Sequence, residues 1–196
     1  MSYTYLALGD SYTIGEQVLP EENFPNQTAA LLSGIIAAPE IIATTGWTTD
    51  ELNAAIDAAG ISKTYDIVSL LIGVNNQYRG RPAYEFEIEF EALLQRAIGF
   101  ANNDPSHVFV LSIPDWGVTP FAEGRDRKTI AAEIDAYNNV CKKIAEKLHS
   151  NYIDITASQR KDGGKDHFLA GDKLHPSGKE YKKWAVQLAA QIKDLL

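Results

Sequence analysis

Two runs, Asp66–Ile72 (DIVSLLI) and His107–Ile113 (HVFVLSI), are apolar at almost every position rather than at every second one. A strand with one wet face alternates, whereas a strand covered on both faces does not. Each run is followed by a segment of helical period. These are Ala83–Phe100 and Lys128–Leu148, the latter with Ile130, Ile134, Tyr137, Cys141, Ile144 and Leu148 on one face. A chain that alternates such segments is constrained to a parallel sheet with helices packed on both of its faces.

The remaining segments extend the same order. Tyr3–Leu8 is the predicted first strand, and Gln27–Leu32 a short helix ended by Gly34. A weaker strand falls at Glu40–Ala43. Thr48-Thr49-Asp50-Glu51 has the T-x-x-E form of a capping box, which predicts a helix through Ala58 stopped by Gly60. Asn151–Ile155 is a short edge strand, and Ser177–Leu195 the last helix. No repeat or low-complexity tract interrupts the pattern.

The 196 residues, 45% of them hydrophobic, suit one domain spanning 1–196 with a sizeable core. A net charge of −8 argues against duplex nucleic acid and against an anionic membrane surface, because phosphate contacts need clustered Lys and Arg. No window approaches the ~20 apolar residues of a membrane span. No basic leader precedes a long apolar stretch and a small-residue cleavage site. The expectation is a soluble, cytoplasmic protein. Cys141 is the lone cysteine and falls on the apolar helix face, so it reads as core.

In open parallel sheets, ligands sit beyond the carboxyl ends of the strands. Four polar turns occupy those positions: Gly9-Asp10-Ser11, Thr45-Gly46-Trp47, Gly73-Val74-Asn75-Asn76 and Pro114-Asp115-Trp116-Gly117. Ser11 is either a turn residue or a nucleophile held at a strand end. Asp172-Lys173-Leu174-His175-Pro176 lies just before the last helix, with Pro176 suited to its first turn. The D-x-x-H spacing lets one turn bring the Asp172 carboxylate to the His175 ring, leaving the other ring nitrogen free for the Ser11 proton. Alternatively, Asp172 only caps that turn. A backbone N–H beside Ser11, the Gly46 N–H and the Asn75 amide are candidate donors to an oxyanion. Gly46 also suits a tight strand–helix turn, and Asn75 an Asx turn. Trp47 and Trp116 each follow a presumed strand end and either line a pocket or pack in the core. Asp10 reads as a hydrogen-bond partner for loop backbone. His107, His149 and His167 read as bystanders, and Glu85–Glu91 as a solvated helix face.

GDS near the start, an isolated Gly after the second strand, GVNN after the third and DKLHP near the end resemble the SGNH (GDSL-type) hydrolases, in that family's order and over almost the whole chain. The resemblance implies an α/β fold, a three-layer α/β/α sandwich with a flavodoxin-like parallel sheet of about five strands. It implies Ser11 as nucleophile, His175 as base, Asp172 as its orienting carboxylate, and Ser11, Gly46 and Asn75 as the oxyanion hole. The implied activity is hydrolysis of carboxylic esters or thioesters, with a small-molecule ester as the partner and no metal or organic cofactor. ATTGWTTDEL and IPDWGVTP further resemble the bacterial lysophospholipase/acyl-CoA thioesterase-like branch. Two positions depart from the pattern. Asn76 stands where Asp is usual, which puts the hydrogen bonding of that loop in question. Tyr12 stands in place of the leucine of GDSL, placing a ring beside the nucleophile that shapes the acyl pocket or merely packs.

Three other functions compete. A metal-dependent phosphoesterase would want several His and Asp ligands at strand ends, and the chain has four histidines. An inert binding module would not need four chemically complete blocks. A carbohydrate O-acetylesterase would use the same machinery. The chain is short for a separate lid domain, so an open groove is expected, tolerant of small and medium acyl groups.

Overall fold

The computed structural model describes residues 2–196. Five parallel strands form one sheet in the order β2-β1-β3-β4-β5. They are β1 (Tyr5–Gly9), β2 (Glu40–Ala43), β3 (Ile67–Leu71), β4 (Val108–Leu111) and β5 (Asn151–Ile153). Every residue of β1, β3 and β4 is buried, as their unbroken apolar character requires. The two edge strands are short and partly exposed, which limits the unpaired backbone they present. Strand order reverses between β1 and β3, so the crevice at their carboxyl ends is the switch point where such sheets bind ligands.

Among the described residues are eight α-helices, α1 (Ser11–Ile14), α2 (Phe24–Leu31), α3 (Thr49–Ala59), α4 (Val74–Tyr78), α5 (Ala83–Phe100), α6 (Arg127–Lys147), α7 (Thr156–Asp162) and α8 (Gly178–Leu195), with five short 3-10 turns between elements. Helix α2 packs on α8, while α3 and α6 pack on α5, giving the three-layer α/β/α arrangement. The inward stripes follow helical spacing. Phe86, Phe90, Leu93, Leu94 and Ala97 are the buried side of α5, and Tyr181, Trp184, Leu188 and Ile192 belong to that of α8. No described helix is long and apolar enough to cross a membrane.

The long elements coincide with their sequence expectations, and α5 does so residue for residue. Helix α3 opens on the expected capping box, with Glu51 Oε2 accepting the Thr48 N–H at 2.9 Å, and ends at Gly60. Several boundaries differ, each for a local reason. The first strand starts at Tyr5, because Tyr3 bridges to Ile36 and Thr4 is tied to the Asp66 carboxylate. Helix α2 starts at Phe24, ahead of the expected Gln27, because the Asn23 side chain caps it by accepting from the Asn26 N–H at 2.9 Å. The fifth strand stops at Ile153, two residues early; Asp154 instead accepts from the Ala157 N–H as α7 begins. Pro176 is not in the first turn of α8. It bridges to Leu169, and Ser177 takes the N-cap position.

Candidate active site

Ser11 is held by a close strand–helix turn. A Cβ on Gly9 would come within 2.4 Å of the Leu71 carbonyl oxygen, so only glycine lets β1 run this close to β3. The chain then turns directly into α1. Asp10 caps that single turn, its Oδ1 accepting from the Tyr12 N–H at 3.0 Å, and Ser11 becomes the first helical residue. The Ser11 N–H has no acceptor among the described residues.

The other half of the pair comes from the loop before α8. Ala170 N–H donates to the His175 carbonyl at 2.8 Å, and Ser177 N–H to that of Phe168 at 2.9 Å, closing an antiparallel loop. Lys173 takes the left-handed conformation at its tip, with φ of 59°. Asp172 Oδ1 accepts from the Leu174 and His175 N–H groups, each at 3.0 Å. Its Oδ2 lies 2.6 Å from His175 Nδ1, and His175 Nε2 lies 3.0 Å from Ser11 Oγ. Burial pushes the Asp172 carboxyl up, but the His175 ring and the two backbone donors outweigh it, and the net displacement is downward. The carboxylate therefore stays ionised beside the ring and favours a proton on Nδ1, with Nε2 left as acceptor for the serine hydroxyl.

Ser11 and His175 line a cleft of about 190 Å³ together with Gly46 and Asn75. Gly46 has φ of 87°, a left-handed conformation that side chains resist, and its N–H has no acceptor among the described residues. Its carbonyl accepts from Arg79 at 2.6 Å, which fixes the peptide beyond it. Asn75 Nδ2 donates one hydrogen to the Trp47 carbonyl at 2.9 Å and retains a second. The cleft walls are apolar: Tyr12, Val74, Tyr78, Trp116, Phe121 and Leu174. Trp116 is fixed by a 2.8 Å bond from its Nε1 to Gln77 Oε1 and meets Tyr78 edge-on at 5.3 Å between ring centres. Tyr12 reaches His175 on one side and Trp184 on the other, at 5.5 and 6.1 Å.

The expected residues Ser11, Tyr12, Gly46, Asn75, Trp116 and His175 thus share one cleft, with Asp172 directly behind His175. Trp47 does not line it. The turn closed by its N–H to the Thr44 carbonyl sends the ring against the core, and only its backbone carbonyl serves the site, through Asn75. Asn76 is fully buried and well used. Its Oδ1 accepts from the Thr49 N–H at 3.1 Å and its Nδ2 donates to Thr49 Oγ1 at 2.6 Å, tying α4 to the start of α3. Tyr78, Phe121, Val74, Leu174 and Thr45 went unremarked as lining residues. Val74, Asn75 and Tyr78 share the short helix α4, where i, i+1 and i+4 spacing was the available signal. Phe121 sits on the single 3-10 turn Pro120–Ala122, too short to carry a period. His107 and His149 lie away from the cleft lining, and His167 contributes only its carbonyl, to Ser177 Oγ at 2.9 Å. Among the described residues no group of three or more His, Cys, Asp or Glu converges on a metal position.

The model of the GDSL-like lipase/acylhydrolase family matches residues 7–183. No curated protein matches the sequence. The fold is similar to that of the psychrotrophic esterase EstA from Pseudoalteromonas sp., solved inhibited by monoethylphosphonate. That pair is 18% identical with a TM-score of 0.73, covering 99% of this chain and 98% of the other. A lipase/acylhydrolase from Enterococcus faecalis is 21% identical, with a TM-score of 0.72 over 100% and 97% of the two chains. Axe2, an acetylxylan esterase from Geobacillus stearothermophilus, is 21% identical, with a TM-score of 0.71 over 97% and 94%. With the family's model matched over most of its length and the fold shared with these structures, the chain belongs to the GDSL-like lipase/acylhydrolase family.

Proposed function

We propose that the chain acts as one domain, a serine esterase that cleaves small-molecule carboxylic esters or thioesters through an acyl-enzyme. The observation that carries this reading is the continuous contact Ser11 Oγ–His175 Nε2–Nδ1–Asp172 Oδ2, at 3.0 and 2.6 Å. Ser11 Oγ attacks the carbonyl carbon as its proton moves to His175 Nε2. Asp172 stays ionised and stabilises the imidazolium. The negative charge that develops on the carbonyl oxygen meets the Ser11 and Gly46 N–H groups and the second hydrogen of Asn75 Nδ2. The tetrahedral intermediate collapses, and the leaving oxygen or sulfur takes the proton from His175. Water, deprotonated by the same nitrogen, then frees the acyl group as a carboxylic acid and restores Ser11.

The apolar walls suit a hydrocarbon acyl group, and the lysophospholipase/thioesterase-like branch is the favoured one. Carbohydrate O-deacetylation is the second reading. It draws on two partly exposed rings at the cleft, Tyr78 at 45% and Phe121 at 43% exposure, which could stack on a sugar. Release of p-nitrophenol from acetyl, butyryl and octanoyl esters tests the first reading. The expected result is turnover of all three, falling by about 10⁴-fold or more in Ser11→Ala. Activity on acetylated xylooligosaccharides with none on butyryl or octanoyl esters would favour the second.

A further inference from the structure

An acidic chain, of net charge −8, carries a cation against two of the rings that line its cleft. The Arg125 guanidinium lies 5.2 Å from the ring centre of Tyr78 and 5.4 Å from that of Trp116. One terminal nitrogen donates to the Tyr78 hydroxyl at 3.2 Å. Both rings line the cleft that holds Ser11 and His175.

Arg125 differs from the chain's other five arginines. Arg79, Arg81, Arg96 and Arg160 each have a carboxylate partner, at 3.3, 2.7, 2.7 and 2.8 Å. Arg127 is engaged by the Gly117 and Thr119 carbonyls. Among the described residues Arg125 has no carboxylate within 4.0 Å, and it stands exposed. Its mounting is nonetheless firm. Arg127 clamps the preceding loop, Asp126 caps α6, and the Phe121 N–H donates to the Lys173 carbonyl at 3.3 Å. The last bond ties this wall to the loop that carries His175. Two aromatic rings hold the guanidinium in place, and most of its five N–H donors remain free. Such a fork matches the paired oxygens of a carboxylate or phosphate.

We propose that Arg125, held on the Tyr78–Trp116 rings, is an anion subsite that selects esters or thioesters bearing a carboxylate or phosphate remote from the scissile carbonyl. This rests on the reading of Ser11 as the nucleophile beside those rings. The anion can belong to the acyl group or to the leaving group, and the two are separated by choice of substrate.

Three substrates serve: neutral p-nitrophenyl butyrate, mono-p-nitrophenyl glutarate with its carboxylate on the acyl side, and butyryl-coenzyme A with phosphates on the leaving side. For one charged substrate, the ratio of its kcat/KM to that of the neutral ester should fall about fivefold in Arg125→Gln, mainly through KM. The fall should be larger in Arg125→Glu, and 1 M salt should erase it. The charged ester that responds identifies the side on which the anion sits. If both ratios stay as in the wild type, the subsite is overturned. The same holds if all three substrates decline together, as a collapsed wall would make them do. Equilibrium binding of the two charged esters to Ser11→Ala, with and without Arg125→Gln, reads the subsite independently of turnover. About fivefold weaker binding of one supports it, and equal affinities for both reject it. Failure of the nucleophile reading shows up separately, as wild-type protein that binds these esters without cleaving them.

Discussion

At the scale of single residues, the proposed chemistry asks some side chains both to hold the site and to meet the substrate. Asn75 does both, since one amide hydrogen anchors it to the Trp47 carbonyl and the other is free toward the cleft. Asn75→Ala should lower kcat by about 10²–10³-fold with a small effect on KM, because the lost donor matters most when charge develops. Steady-state kinetics on p-nitrophenyl butyrate check this, and a change confined to KM would contradict it. Asp10 stands one residue from Ser11, the proposed nucleophile, fully buried and with Oδ2 unpartnered. Burial pushes its carboxyl up to about 7, against the pull of the Tyr12 N–H. A raised folded-state value means that the folded protein holds this proton more tightly than the unfolded chain. The stabilisation is full below the unfolded value near 4 and is lost as pH rises through 7. Wild type should therefore lose stability relative to Asp10→Asn between pH 4 and pH 8. Thermal melts of both across that range give the slope, and parallel curves would contradict it.

At the scale of elements, the strand ends are held by buried polar side chains. Asn138 projects from α6 to the end of β4, where its Oδ1 accepts from the Ile113 N–H at 2.7 Å and its Nδ2 donates to the Ile113 carbonyl at 3.0 Å. This pairing continues the backbone bonding of β4 past its last ladder position and aims the following turn, with Trp116, into the cleft. Asn138→Leu keeps the bulk but orphans the Ile113 N–H, while the Ile113 carbonyl keeps the Thr156 hydroxyl at 2.8 Å, so it should cost about 1–3 kcal/mol in chemical denaturation. A loss below 0.5 kcal/mol would show that the strand end holds itself. A second lock joins Asp115, buried beside Trp116, to Arg160 of α7 at 2.8 Å. Removing only Asp115, as in Asp115→Ala, leaves Arg160 one carboxylate partner, the exposed Asp135, beside the Ala131 carbonyl. That variant should loosen the Trp116 wall and raise KM more than it lowers kcat.

At the scale of the whole molecule, legibility followed length and repetition. Strands β1, β3 and β4 were plain because burial on both faces leaves no polar position to confuse the pattern. Helices α5 and α6 were plain because 18 and 21 residues give several turns of period. Helices α1, α4 and α7 have 4, 5 and 7 residues, too few for a period to emerge. The polar half of the site was legible because Ser11, Gly46, Asn75, Asp172 and His175 lie on short turns at strand and helix ends. The apolar half was not. Tyr78, Phe121 and Leu174 converge only when helix α4, the 3-10 turn Pro120–Ala122 and the loop before α8 fold together, and Trp47 departs only because the Gly46 turn points it inward. Arg125 belongs to the same class, since its neighbours lie 9 and 47 positions away along the chain.

The whole assembly acts as one device only if Ser11 Oγ is the atom that forms the covalent bond. The most direct measurement is peptide-level mass spectrometry after treating the protein with a p-nitrophenyl alkylphosphonate, which phosphonylates an activated serine and releases nitrophenolate. The expected result is one adduct, on the peptide containing Ser11, absent in Ser11→Ala and strongly slowed in His175→Ala. Ester turnover that continues while Ser11 stays unmodified, or an adduct on a different residue, would contradict the account.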